Sequence, residues 1–303
     1  MARIKFRDQE FSVDRQERIL QINAILSQYE GQRVSVRQVY YRLVAAGKIA
    51  NSDKEYGKVQ GLITDARYAG LIDWNAIEDR NRDPLRVAYW SSGSAALIEA
   101  AARFHKDRWI TQPFYVEIHC EKAALAGILE PIANDYGITL MVNRGYNSAS
   151  AMMESAQRIS YYASGNAKKG IEPKRPIILY LGDHDPSGLD MVRDIRDRLI
   201  EFACPPWLFV RHIALTWEQI QEYNPPPNPA KVTDSRAAAY ISQYGDSSWE
   251  VDALPPPTLD LLVRAAINAY VDKAAMEKAV ANEVLVKKAI EKFTKGFVDP
   301  EVK

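Results

Sequence analysis

Two carboxylates two residues apart follow a short apolar run. Residues 176–181 read Pro-Ile-Ile-Leu-Tyr-Leu, and Gly182, Asp183, His184, Asp185, Pro186, Ser187 and Gly188 come next. This pattern predicts a buried parallel strand, a tight turn and a helix. The turn falls at the carboxyl end of the strand, where open α/β sheets carry their chemistry. Carboxylates held that close repel, and a hard cation relieves the repulsion. The same residues also suit a helix cap, for which one Asp is enough. Gly188 is expected to supply a backbone geometry that other residues resist.

A second chemical pattern lies in residues 36–47. Val36, Val39, Tyr40, Leu43 and Val44 form one helical stripe, which places Tyr40 in a core. Tyr41 is rotated off that stripe by about 100°, and Arg37 stands one turn before it on the same side. A partly exposed phenol beside a guanidinium suits attack on a phosphodiester: Arg37 holds the phosphate, and its charge favours the phenolate. The alternative is a pair of core tyrosines at helical spacing. A third candidate is Glu121, which with Lys122 follows the apolar run 114–120. A glutamate at one strand end and an Asp-x-Asp at another meet on the same sheet edge, a constellation suited to a metal.

The elements needed to position these groups can be read in order. Residues 1–13 are polar, an arm. Residues 14–29, 35–47 and 52–69 carry helical periodicity, with Asp14 and Ser35 as N-caps. Residues 71–82 are mixed and strand-like, as a wing would be. Three helices and a strand segment suggest a winged helix spanning 14–88. Its third helix would carry Lys54, Lys58 and Arg67 to DNA, and its wing Arg80, Arg82 and Arg86. Arg42, Lys122 and Arg144 are further DNA-contact candidates. A plain protein-interaction module accounts for this composition equally well. A connecting helix is expected within 89–113. Strand and helix then alternate through 114–215, implying a parallel sheet. Residues 216–303 hold two proline-rich connectors and a helical stretch over 258–295; no chemistry is assigned there, and the region is expected to complete the core of the second domain or a dimer surface.

Composition adds bounds. The 303 residues suffice for two domains, and 39 basic residues balance 39 acidic ones, so any basic surface is local. Cys120 and Cys204 form neither a disulfide framework nor a zinc spacing. No apolar run is long enough for a bilayer, and Met1-Ala-Arg-Ile-Lys5 is no signal peptide. The expected setting is a reducing cytoplasm, close to the nucleoid.

Four motifs in order carry a resemblance. The run from Ser35 to Tyr41 resembles the active-site helix of topoisomerase VI A subunits and the related meiotic double-strand-break transesterases, Arg37 and Tyr41 matching the arginine and the nucleophile. Glu121-Lys122-Ala123-Ala124 resembles the segment that opens their Toprim domain. Asn143-Arg144-Gly145-Tyr146 is similar to their Lys-Gly-Tyr-Pro element, and the run from Asp183 to Gly188 to their Asp-x-Asp-Pro-Tyr-Gly motif. Ala123, Asn147 and Ser187 depart from the pattern. The length is most similar to short standalone mini-A homologues.

The resemblance implies an α/β multidomain protein, a winged-helix domain plus a Rossmann-like Toprim domain. It implies a homodimeric type IIB topoisomerase A-like enzyme that cuts double-stranded DNA through a 5′-phosphotyrosyl link. Tyr41 would be the nucleophile, Arg37 and Glu121 would assist, and Glu121, Asp183 and Asp185 would hold Mg²⁺, for which Mn²⁺ substitutes. In that family the tyrosine of one subunit works with the metal site of the other. A separate GHKL-type ATPase B subunit is a further possible partner, since no phosphate-cradling Gly-rich loop occurs here. Two alternatives remain: a DNA-binding regulatory or structural dimer without cleavage, and a hydrolytic Toprim nuclease.

Overall fold

The computed structural model describes residues 3–29, 33–77, 87–142, 148–230, 236–294 and 297. The N-terminal region is helical: α1 (Val13–Ser27), α2 (Val36–Ala45) and α3 (Asp53–Tyr68). Ile22, Val39, Leu43, Ile63 and Ile72 are fully buried among them, in one core with Tyr40 and Tyr41. The ends follow from local chemistry. Ser35 and Gln38 form a reciprocal capping box at the start of α2, and Ser52 caps α3. Ser12, not Asp14, stands at the start of α1, and its side chain makes no cap. Of the strand-like stretch, 71–77 is turns plus an isolated bridge from Ile77 to Val34, and 78–82 lies outside the described residues.

After α4 (Gly93–Ala102) the α/β unit begins. It runs β1 (Phe114–Cys120), α5 (Ala126–Tyr136), β2 (Thr139–Val142), α6 (Ala149–Ser164), β3 (Arg175–Leu181), α7 (Pro186–Glu201) and β4 (Phe209–Ala214). The strands form one parallel sheet in the order β2-β1-β3-β4. Both faces of the sheet are covered, so β3 is apolar on both sides, while β1 turns Val116, Ile118 and Cys120 to one face and the buried Tyr115, Glu117 and His119 to the other. One face packs Ile118, Leu179 and Ile213 against α5, and the other packs Ile178, Tyr180 and Val210 against α6 and α7.

The C-terminal third completes these layers. It holds α8 (Trp217–Tyr223), the short pair β5 (Asn228–Pro229) and β6 (Ser247–Ser248), α9 (Ala237–Tyr244), a 3-10 turn Val251–Ala253, α10 (Pro256–Asn268) and α11 (Lys273–Thr294). Leu259, Val263 and Ile267 of α10 enter the sheet core beside α5. The helical stretch expected over 258–295 is therefore two helices, broken where Asp272 N–H donates to Gln112. The connecting helix is likewise shorter than its pattern, since Lys106 N–H and Arg108 turn to the buried Glu283. No described helix is long and apolar enough to cross a membrane.

Candidate functional site

The sheet order decides where chemistry can occur. From β1 the chain goes to one side for β2 and returns to the other for β3, so the connections that leave their paired carboxyl ends turn to opposite faces of the sheet and open a crevice. Glu121 and Lys122 leave β1 there, and Asp183 to Asp185 leave β3. Glu121 Oε2 accepts the Asp183 N–H at 3.3 Å and the Tyr180 hydroxyl at 3.0 Å. Gly182 makes this possible, because a Cβ there would stand 2.0 Å from the Tyr180 hydroxyl and 2.8 Å from Glu121 Oε2. The expectation for Gly188 is corrected in kind: its φ is ordinary, and the constraint is the Asp183 carbonyl, 2.2 Å from where a Cβ would lie.

The two aspartates differ in role. Asp185 caps α7, its Oδ1 accepting from Gly188 N at 2.7 Å and Ser187 Oγ at 2.8 Å. Asp183 Oδ1 meets the Lys122 ammonium at 2.9 Å and accepts the Val251 N–H at 2.9 Å. Among the described residues no three His, Cys, Asp or Glu side chains converge to hold a metal ion. The cation at the centre is Lys122, which also reaches Glu250 Oε2 at 2.6 Å and Asp252 Oδ1 at 3.0 Å. Lys122 is thereby enclosed by three carboxylates.

Glu250 and Asp252 join the two halves of the molecule. Arg37 pairs with Glu250 and lies 3.5 Å from Asp252 Oδ2, while donating to the Tyr41 hydroxyl at 3.2 Å. Asn228 Nδ2 lies 3.4 Å from both the Tyr41 hydroxyl and Glu250 Oε1. Tyr41 and Arg37 thus share one cleft of about 500 Å³ with Asp183, Asp185 and Glu250, within a single chain. The off-stripe side of α2 is covered by Asn228, Glu250 and the 3-10 turn, so Tyr41 is 3% exposed rather than partly exposed.

That cover also reverses the expected effect on the phenol. Burial, then the Glu250 carboxylate, push the Tyr41 phenol above its ordinary value, and Asn228 and Arg37 only partly offset them. Arg37 is itself occupied by Glu250 and Asp252. Burial opposes ionisation of Glu250, but Lys122 and Arg37 hold it down at about 2. Asp183 goes the other way, to about 7, raised by burial and by Asp252, Glu121 and Glu250, against which Lys122 is insufficient. Counted as ionised, Glu121, Asp183, Glu250 and Asp252 outnumber Lys122 and Arg37 by two charges. That excess of carboxylate charge has the sign and hardness that Mg²⁺ or Mn²⁺ takes, but among the described residues these side chains do not converge as a ligand set.

Of the remaining candidates, Lys54 and Lys58 are exposed on α3, Lys58 paired with Glu55. Arg42 is half-buried in the last turn of α2. Arg67 donates to the Trp74 carbonyl and lies over its ring, a contact within the fold. Arg80, Arg82, Arg86 and Arg144, and the whole motif 143–147, lie outside the described residues. The sequence reading missed Asn228, Glu250 and Asp252. A signal was present, since Glu250-Val251-Asp252 repeats the acid-x-acid spacing of Asp183 and Asp185.

The class of protein defined here is an α/β protein with a four-stranded parallel sheet, flanked by helices and joined to an N-terminal helical region. No protein-family model, curated protein or solved structure matches the chain.

Proposed function

We propose that the chain is a DNA-cleaving transesterase of the type IIB topoisomerase A-like kind. Residues 14–88 would be its winged-helix domain and the sheet its Toprim domain. The observation that carries this reading is the shared cleft: a tyrosine with its arginine, from one unit, faces a carboxylate cluster on a sheet edge of another. In the proposed step the Tyr41 oxygen bonds to phosphorus and the P–O3′ bond breaks. The phenol loses its proton and the 3′-oxygen gains one. The phosphotyrosyl ester retains the bond energy, so rejoining needs no ATP.

A free phenol titrates near about 10 and needs help to act as a nucleophile. Arg37 is the local positive charge for both phosphate and phenol. It is available once a phosphate displaces Glu250, so Asn228 and Glu250 act as a cover that duplex binding must move. Glu121 and Asp183 would hold the metal ion, with Asp185 anchoring the loop by its cap. When bound, Mg²⁺ supplies charge to the phosphoryl group and the leaving 3′-oxygen. Each chain carries one Tyr41, so paired breaks need a homodimer.

Supercoiled plasmid incubated with the protein and Mg²⁺ or Mn²⁺, then denatured with and without protease digestion, tests this. Protein-linked 5′ ends that vanish in Tyr41→Phe and persist in Tyr40→Phe are expected. Adducts retained by Tyr41→Phe would refute the nucleophile, and protein-free breaks would indicate hydrolysis by water. One observation favours a second reading, a DNA-binding dimer without cleavage: Lys122 fills the acidic cluster and the phenol is held protonated. DNA binding without any nicking is its expected result.

A further inference from the structure

The connecting helix α4 has the sequence Gly-Ser-Ala-Ala-Leu-Ile-Glu-Ala-Ala-Ala, apolar on nearly every side, yet only Ala101 is buried. Helices that are apolar all round belong in cores. Its partner in the chain is α11, whose 22 residues include just two buried ones, Glu283 and Thr294. The pairing is antiparallel. Gln112 holds Asp272 at the start of α11, and His105, Lys106 and Arg108 hold Glu283 at its middle. Continuing backwards, α4 lies along the second half of α11.

This two-helix unit exposes large apolar side chains at both of its layers. They are Val87, Tyr89, Trp90 and Ile98 on and before α4, and Leu285 and Phe293 on α11. Tyr89 is 84% exposed, Phe293 80% and Leu285 68%. A whole aromatic side chain buries about 150–250 Å² and an aliphatic one somewhat less. The six together therefore offer roughly 700 Å² of apolar side chain per chain along α4 and α11. It is close to the ~800 Å² that each partner contributes to a standard interface.

We infer that α4 and α11 form the surface on which two copies of this chain associate, the two helical hairpins closing into a four-helix bundle across a two-fold axis. A second copy is the occupant that the chemistry favours. The exposed charges of α11 are four lysines, Lys273, Lys278, Lys288 and Lys292, and two glutamates, Glu277 and Glu291, so each copy offers both signs for pairing across a two-fold axis. A hairpin that lacks two helices of a bundle is completed by its own copy, and such isologous contacts close without further growth. The inference deepens the proposed function, which needs two tyrosines, but its evidence is independent of Tyr41.

Light scattering on the eluting full-length chain at tens of micromolar tests it. Twice the 34.2 kDa chain mass is expected. Leu285→Lys with Phe293→Glu should weaken the dimer by at least ~100-fold and elute as monomer. Both positions are exposed, so the variants should still unfold in one cooperative transition, with a melting temperature that no longer depends on protein concentration; Ile98→Glu on the other helix is the second variant. A monomeric wild type overturns the inference and leaves the face to a different partner. A wild-type dimer that survives both variants overturns it too, by placing the contact elsewhere. A dimeric wild type that forms no DNA adducts would sink the cleavage reading and leave this one standing.

Discussion

Glu117 stands in the middle of β1 and Asp183 just past the end of the neighbouring β3, both shielded from water, and their surroundings are opposite in kind. Glu117 is surrounded by donors. Tyr115 donates to it at 2.7 Å, Ser155 at 3.0 Å and Arg158 Nε at 3.0 Å, with His119 Nε2 at 3.1 Å. Burial opposes its charge, but His119 and Arg158 hold it down at about 2. Asp183 is surrounded by acids, with one lysine among them, and stands at about 7. A carboxylate with its partners complete is a structural element of the core. One left crowded by like charges beside a cleft is the arrangement expected where a cation or a phosphate is to be handled. The cleft also holds Tyr41, and no member of the Glu117 network lines it.

The contrast can be broken most severely at Glu117. Glu117→Ala leaves Arg158 and His119 without their partner and should cost about 3–5 kcal/mol in urea unfolding. The folded pKa of Glu117 is depressed, so its contribution is present above the unfolded value near 4.5 and lost as pH falls through about 2. The acid limb of the stability curve should therefore be shallower in the variant. Asp183→Asn should act in the opposite sense. A raised folded pKa gives a contribution present below 3.8 and lost as pH rises through about 7. In chelator, the variant should be more stable than wild type at pH 8, on the order of 1–3 kcal/mol. The difference should shrink towards pH 4. A variant less stable at pH 8 would mean that the Lys122 pair outweighs the crowding. The smallest effect is expected at Tyr40→Phe. Tyr40 accepts Ser52 N–H at 2.7 Å and donates to Asn51 at 2.9 Å, so about 1 kcal/mol should be lost, with DNA adducts unchanged.

The parts of the site that were legible in the sequence are those set by local pattern. The strand and turn around Asp183 rest on an apolar run closed by Gly and Pro, and α2 on its stripe and its Ser35 cap. Those signals span a few residues, and short-range sterics and hydrogen bonding enforce them. Glu121 beside Asp183 followed from the alternation of strand and helix, because parallel strands send their carboxyl ends to one edge. The exposure of Tyr41 was not legible. Helical spacing tells which side of α2 faces its own neighbours, and says nothing about a turn more than two hundred residues later that covers the other side.

The sequence by itself determined the helices, the parallel sheet and the sheet edge where carboxylates gather, since each follows from periodicity and turn chemistry along neighbouring residues. Only the tertiary structure decided that Asn228, Glu250 and Asp252 reach that edge, that Lys122 is enclosed among the acids and that the Tyr41 phenol is covered. Those outcomes depend on how the C-terminal segment packs between two units. That packing is governed by long-range burial and charge pairing, which no window of sequence contains.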